Sequence, residues 1–237
     1  MYSTMSIGIS IVTGGSRGIG RAVVEALLRR GHTVHFCSRS EESVAKTLRD
    51  LRRIHAEDSV FGSAVDVGDQ HGVDAFIESV LERHGRVDCL VNNAGVGYFA
   101  PVDELSGDDW RRLMRTNLDG AFYFTRAVAP SMRERGEGLI VNVASLAGRH
   151  PMKGGAAYNA SKFGLVGFSD ACMLDLRGDG VRVAAVLPGS VATDFWQGRD
   201  DDWKLQPKDV AQAILGLLDM PARALPSRIE IRPTSTG

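Results

Sequence analysis

Residues 7–20 read Ile7-Gly8-Ile9-Ser10-Ile11-Val12-Thr13-Gly14-Gly15-Ser16-Arg17-Gly18-Ile19-Gly20. The stretch from Ile7 to Val12 is short, apolar and rich in β-branched residues, as a buried strand requires. It passes straight into a glycine turn, after which Ala22, Val23, Ala26 and Leu27 fall at helical spacing. Strand, glycine turn and helix N-terminus in succession aim backbone N–H groups and a helix dipole at a phosphate. Gly14 allows the tight turn, while Gly18 and Gly20 let a pyrophosphate and the neighbouring strand come close. A merely tight βα turn is the plainer reading, but so many glycines would weaken the helix without aiding its packing. The spacing is Gly-x-x-x-Gly-x-Gly, not the commoner Gly-x-Gly-x-x-Gly fingerprint.

Working outward, the same alternation runs to the carboxyl end. A helix at 20–30 stops at Gly31 and a strand follows at 32–37. A charged amphipathic helix spans 41 to about 55, and a strand 59–65. A helix from about 69 to 83 is closed by Gly85, and a strand follows at 87–92. Ser106 with Asp109 has the form of a capping box and opens one long helix through about 135. Strand 139–144, helix 157–177, strand 181–187, helix 207–219 and strand 228–232 complete the chain. Alternating segments of these lengths predict an α/β fold: a doubly wound parallel sheet of about seven strands with helices on both faces. Its site belongs at the carboxyl ends of the strands. No linker, repeat or low-complexity stretch interrupts residues 1–237, which read as a single domain.

Within the helix at 157–177, Tyr158-Asn159-Ala160-Ser161-Lys162 places a phenol and an ammonium one turn apart on one face. A nearby cation favours the phenolate, so the pair predicts a tyrosine that exchanges a proton near neutral pH. The spacing alone is equally that of an amphipathic helix with an exposed lysine.

Composition narrows the function classes. The 237 residues are 43% apolar, enough for a two-sided core, and carry a formal net charge of -1. Such a balance gives no electrostatic case for nucleic acid. Cys37, Cys89 and Cys172 are odd in number and sit in apolar runs, and read as reduced core residues. The six histidines show no metal-ligand spacing, and His32 and His35 flank a strand start. No stretch is long enough to span a bilayer, and the first strand begins too early for a signal peptide. These features predict a soluble, cytoplasmic protein without membrane partners.

Thr13-Gly14-x-x-x-Gly18-x-Gly20, Asn92-Asn93-Ala94-Gly95, Ser145, Tyr158-x-x-x-Lys162 and Pro188-Gly189 occur in the order of the short-chain dehydrogenase/reductase family. The chain resembles that family from about residue 6 to about residue 233. The resemblance implies hydride transfer between a nicotinamide cofactor and a ketone or aldehyde, with Asn117, Ser145, Tyr158 and Lys162 as the catalytic set. Ser145 and Tyr158 are implied to bind the carbonyl oxygen, and Lys162 the nicotinamide ribose. Asn117 is implied to mark a helix distortion whose carbonyl holds a water that connects Lys162 to solvent.

The end of the second strand bears on which cofactor. Ser38-Arg39 stands where an NAD-preferring protein shows an acidic residue for the ribose hydroxyls. A guanidinium suits a 2′-phosphate, which a carboxylate would repel. Arg17 adds a second cation, and the pair resembles the NADP(H)-preferring members. The resemblance extends the cofactor contacts to Gly14, Ser16, Gly18, Ile19 and Gly20 at the turn and to Asp66 and Val67 at the adenine. It further implies Asn93, Ala94 and Gly95 beside the adenosine, and Pro188, Gly189, Val191 and Thr193 at the carboxamide.

The substrate is less defined. Residues 194–206, including Asp194, Phe195, Trp196, Gln197 and Trp203, predict a short lid, with Tyr98, Phe99 and Met152 as further walls. Arg133, Arg135 and Arg177 admit two readings: a basic rim for an acyl carrier protein or coenzyme A thioester, or solvated helix ends. The end at Ile229-Glu230-Ile231-Arg232-Pro233-Thr234 lacks the glycine pair of the 3-oxoacyl-carrier reductases. A 3-oxoacyl thioester reductase is therefore the alternative activity, and a non-catalytic dinucleotide-binding sensor or scaffold the alternative class. Apolar residues on two faces of the helices carrying Asn117 and Lys162 predict a homodimer or homotetramer.

Overall fold

The structure, a computed structural model, describes residues 8–193, 195 and 202–235. Seven parallel strands form its sheet: β1 (Ile9–Thr13), β2 (Thr33–Ser38), β3 (Val60–Ala64), β4 (Cys89–Asn92), β5 (Gly138–Val143), β6 (Val181–Pro188) and β7 (Arg228–Ile231). They lie in the order β3-β2-β1-β4-β5-β6-β7. Every residue of β1, β4 and β5 is buried. That explains why these segments read as continuous apolar runs: helices cover both faces of a parallel sheet.

Helices α1 (Gly18–Arg29), α2 (Glu41–Arg52) and α7 (Pro207–Leu218) cover one face. There Val23, Leu27, Leu51, Val210 and Ile214 join a core with Val12, Val34, Val91 and Val141. Helices α3 (Gln70–His84), α5 (Gly120–Arg135) and α6 (Ala156–Leu176) cover the other. Phe76, Ile77, Phe124, Val128 and Met132 pack there with Ile11, Leu90, Ile140 and Val183. The chain winds from β1 outward to β3, then crosses back so that β4 pairs with β1 on its free side. The crevice between the ends of β1 and β4 is the topological switch point where such sheets bind ligands.

One helix is interrupted at the place where the resemblance implies a distortion. The long helix from Ser106 is broken into α4 (Gly107–Met114) and α5 by a π-helical turn over Arg115–Asp119. Asn117 turns its amide to the backbone of Val96, donating to its carbonyl at 2.9 Å and accepting its N–H at 2.8 Å. Side-chain bonding of this kind competes with regular helix. Gly120 closes the turn where a Cβ would sit 2.9 Å from Val67 Cγ2. The other boundaries shift by at most a few residues, and the left-handed glycines Gly85 and Gly136 end α3 and α5.

His35 is not a flanking residue. It lies within β2, buried, stacked on Phe61 with ring centroids 4.6 Å apart and with Nε2 2.9 Å from His84 Nε2. Cys37 and Cys89 are buried and Cys172 is half-buried; all three are free thiols.

Candidate active site

A cleft of about 830 Å³ follows the carboxyl edge of the sheet, lined from Arg39 at one end to Trp203 and Arg232 at the other. Its floor is the glycine turn. Gly14 and Gly18 hold φ of +67° and +54°, a region that side chains rarely adopt. Gly20 lies beneath the floor and does not line it. A Cβ there would meet the Gly14 carbonyl oxygen at 2.3 Å and Asn93 Nδ2 at 2.4 Å, so its smallness sets the approach of α1 to the turn.

Thr13 fastens this turn to the end of β4. Its hydroxyl accepts the N–H groups of Asn93 and Ala94, each at 2.9 Å, while Asn93 Nδ2 donates to the Thr13 carbonyl at 2.9 Å. No side chain caps α1 and no acidic residue occupies its first turn. Ser40 and Ser106, by contrast, cap α2 and α4. The free N–H groups of α1 and the glycine floor together fit a pyrophosphate.

Arg17, Ser38, Arg39, Ser40 and Ser43 line the cleft at the β2 end, and Ser16 Oγ donates to Ser38 Oγ at 3.0 Å. Two guanidiniums beside serine hydroxyls suit a further phosphate. Ile19, Val65, Val67, Asn93, Ala94 and Gly95 line the middle. Asp66 does not join them. Its carboxylate accepts from Arg115 Nη2 at 2.9 Å and from Gly68 N at 3.0 Å, and lines a side hollow with Arg39 and Arg115.

Ser145, Tyr158 and Lys162 come together at the far end of the cleft. Ser145 ends β5 and α6 carries the other two. Tyr158 is buried and hydrogen-bonded to Ser145. Its ring packs against Phe99 at 5.3 Å and Phe195 at 5.8 Å between centroids. Lys162 Nζ donates to the Val143 carbonyl at 3.0 Å and lies 5.9 Å from the Tyr158 ring centroid. Burial lowers the Lys162 ammonium to about 8. It raises the Tyr158 phenol to about 12, against the opposing hydrogen bond from Ser145. The sequence predicts a lowered phenol. Desolvation of both partners outweighs an ammonium that is not in contact with the hydroxyl.

Asn117 stands behind this trio. Besides Val96, it donates to Ser161 Oγ at 3.0 Å. A Cβ on Gly95 would meet Asn117 Oδ1 at 3.4 Å and Lys162 Nζ at 3.8 Å, so the glycine leaves the space beside both atoms open. Pro188, Gly189, Val191 and Thr193 line the opposite wall. Of the expected substrate walls, Phe195, Trp203 and Met152 line the cleft, whereas Tyr98, which is exposed, and Phe99, which packs on the Tyr158 ring, do not. Asp194, Trp196, Gln197 and the rest of 196–201 lie outside the described residues.

The basic rim is not formed by Arg133, Arg135 and Arg177. Arg133 pairs with Asp179, and Arg135 holds Val87 O and Asp88, at the amino ends of β6 and β4. Arg177 opens the same turn as Asp179. All three sit on the edge opposite the cleft. Asn159, His150 and Arg232 lie outside the residues expected from the sequence. Asn159 donates to Ala147 O at 2.6 Å and His150 O at 3.0 Å, and accepts from Met152 N at 3.1 Å. It pins the loop after Ser145 onto α6. Its place inside Tyr-x-x-x-Lys was the available signal.

A family model described as short chain dehydrogenase matches residues 9–204. A Streptomyces coelicolor protein provisionally named a ketoacyl reductase is 35% identical over 96% of this chain and 88% of its own length. The NADP-dependent 3-hydroxy acid dehydrogenase of Shigella flexneri is 32% identical over 96% of this chain and 95% of its own. Among solved structures, the alcohol dehydrogenase of Thermococcus sibiricus complexed with 5-hydroxy-NADP superposes with a TM-score of 0.90. It is 29% identical, and the match covers 97% of each chain.

Proposed function

Because the chain belongs to the short chain dehydrogenase family, we propose that it is an NADPH-dependent reductase converting a ketone or aldehyde to an alcohol at Ser145, Tyr158 and Lys162. The observation that carries this reading is the meeting of those three side chains at one end of a cleft whose other end presents Arg17 and Arg39. The glycine floor, the uncapped N-terminus of α1 and the two arginines fit the pyrophosphate and 2′-phosphate of NADP(H). Relatives named for NADP support the same choice.

Held by the glycine floor, Arg17 and Arg39, NADPH would supply a hydride for the carbonyl carbon. Ser145 donates a hydrogen bond to the carbonyl oxygen and fixes it beside Tyr158. The Tyr158 hydroxyl gives its proton to that oxygen as the alkoxide forms, so the product is the neutral alcohol. Lys162 binds the ribose hydroxyls and provides positive charge that eases loss of the phenol proton. A water held by the Asn117 carbonyl at the π turn would link Lys162 to solvent and return the proton. Phe99, Phe195 and Trp203 shield the reacting atoms from water.

The ketoacyl reductase likeness keeps a 3-oxoacyl thioester among the candidate substrates. Retention of Ser145, Tyr158 and Lys162 in one site argues against a non-catalytic sensor. The described residues contain no helix long and apolar enough to cross a membrane, and we place the enzyme in the cytoplasm as a homo-oligomer. Steady-state reduction of a panel of ketones, aldehydes and oxoacyl thioesters, with NADPH and NADH in parallel, tests the reading. Failure to oxidise NADPH with any of them would overturn it.

A further inference from the structure

Arg232, directly after β7, lines the substrate end of the same cleft, yet the chemistry above gives it no task. Its Nη2 donates to Glu230 Oε2 at 3.0 Å and to His150 Nε2 at 3.2 Å. A guanidinium only donates, so His150 Nε2 is an acceptor in this contact. Glu230 Oε1 accepts from Arg149 Nη1 at 2.6 Å. One carboxylate therefore serves two guanidiniums, and the cluster carries a surplus positive charge. The Glu230 carboxyl is held below its ordinary value by hydrogen bonds from Arg232 and Arg149.

The placement ties this charge to the reacting centre. Arg149 and His150 belong to the loop that begins at Ser145 and is pinned by Asn159. Their contacts with Glu230 and Arg232 draw the segment after β7 onto that loop. The lining of the same cleft includes the apolar Leu146, Pro151, Met152, Trp203 and Pro233 alongside His150, Ser190 and Ser235. The Arg232 side chain is 53% exposed, so part of its donor fork stays open. A planar fork with surplus charge, set in a partly apolar cleft, matches a carboxylate and discriminates poorly among uncharged ketones. Resting on the carbonyl reduction proposed above, we infer that the substrate is an oxo acid whose carboxylate is bound by Arg232.

Titration calorimetry with the protein saturated with NADP⁺ tests this without turnover, using 4-oxopentanoate and its methyl ester as probes. The acid should bind at least about tenfold tighter than the ester, the scale of one charge-assisted contact. Arg232→Gln should bring the ratio close to one, and Arg232→Lys, which keeps the charge but not the fork, should keep only part of it. Equal binding of acid and ester by the unmodified protein would overturn the inference, as would a ratio that survives Arg232→Gln. Dependence on Arg232 seen only with 3-oxobutanoyl-coenzyme A would assign the site to a phosphate and overturn it too. Turnover of both probes with NADPH checks the underlying reading separately. Reduction without preference for the acid sinks only the carboxylate site, and preference without reduction sinks the reductase.

Discussion

Tyr158 shows what a single side chain gains and loses by its position. Burial holds its proton in place to about 12, so the phenol is a poor acid until positive charge is brought beside it. Spectrophotometric titration should find no phenolate from Tyr158 below about pH 11 in the protein alone. With NADP⁺ bound and an alcohol substrate, the rate of oxidation should rise with pH through a group well below the free phenol value. A profile governed by a group near 12 would show that the charge does not reach it. Tyr158→Phe removes the proposed proton donor and little else, and should lower carbonyl reduction by roughly 10²–10⁴-fold while the melting temperature barely moves. Lys162→Ala should weaken both the rate and NADPH binding, since one ammonium serves ribose and tyrosine. At the other end of the cleft, Arg39→Asp turns an attraction into a repulsion. It should weaken NADPH binding by about 2 kcal/mol, roughly thirtyfold, and leave NADH unchanged or improved. Parallel titrations of the two cofactors measure it.

At the scale of elements, the site depends on how chain ends are fastened to one another. Thr13 is the joint between β1 and β4. Replacing it by valine keeps the volume but strips an acceptor from two backbone N–H groups, at about 1–3 kcal/mol for each donor left unpaired. Urea denaturation of Thr13→Val should show that loss, and the matching Ser10→Ala, where a hydroxyl meets only His32 Nδ1, should show less. The contact between β2 and α3 makes a separate prediction about pH. Burial first, then His84 and Arg83, lower the His35 pKa from 6.5 to about 4, and burial also lowers that of His84. The unfolded chain therefore binds more protons than the native one below pH 6.5. Stability should fall as pH drops from about 6.5 to about 4, by on the order of 2–3 kcal/mol for His35. His35→Phe should flatten that slope in denaturant titrations at stepped pH; an unchanged slope would assign the acid sensitivity elsewhere.

For the whole molecule, the sheet consumes only part of the apolar surface of its helices. Phe124, Val128 and Leu165 are buried against the strands, whereas Phe122, Phe163 and Leu174 remain 43%, 45% and 59% exposed on α5 and α6. Phe122 and Phe168 form an edge-to-face pair at 6.3 Å that bridges the two helices. Apolar residues therefore lie on more than one face of these helices, one set turned to the sheet and one to solvent. A self-complementary contact through this exposed set predicts at least a dimer. Sedimentation velocity at micromolar concentration should show it, and Phe122→Asp with Phe163→Asp should shift the protein toward monomer.

The order of strands and helices, the switch point and the glycine cradle were all legible in the chain. Buried parallel strands must be continuously apolar, and a βα turn at a pyrophosphate demands glycine at fixed spacing. Tyr158 and Lys162 stood out by their spacing of one helical turn, and Ser145 only through the resemblance to the family. What lay beyond the sequence was whatever depends on neighbours distant along the chain. The raised Tyr158 phenol is set by desolvation, and the diversion of Asp66 by Arg115. Arg133 and Arg135 read like a rim until β4 and β6 placed them on the opposite edge, and Arg232 read like a tail until β7 set it in the cleft. Local pattern fixes which face a residue takes on its own element. Only packing fixes which other element that face meets, and electrostatics and solvation follow from the meeting.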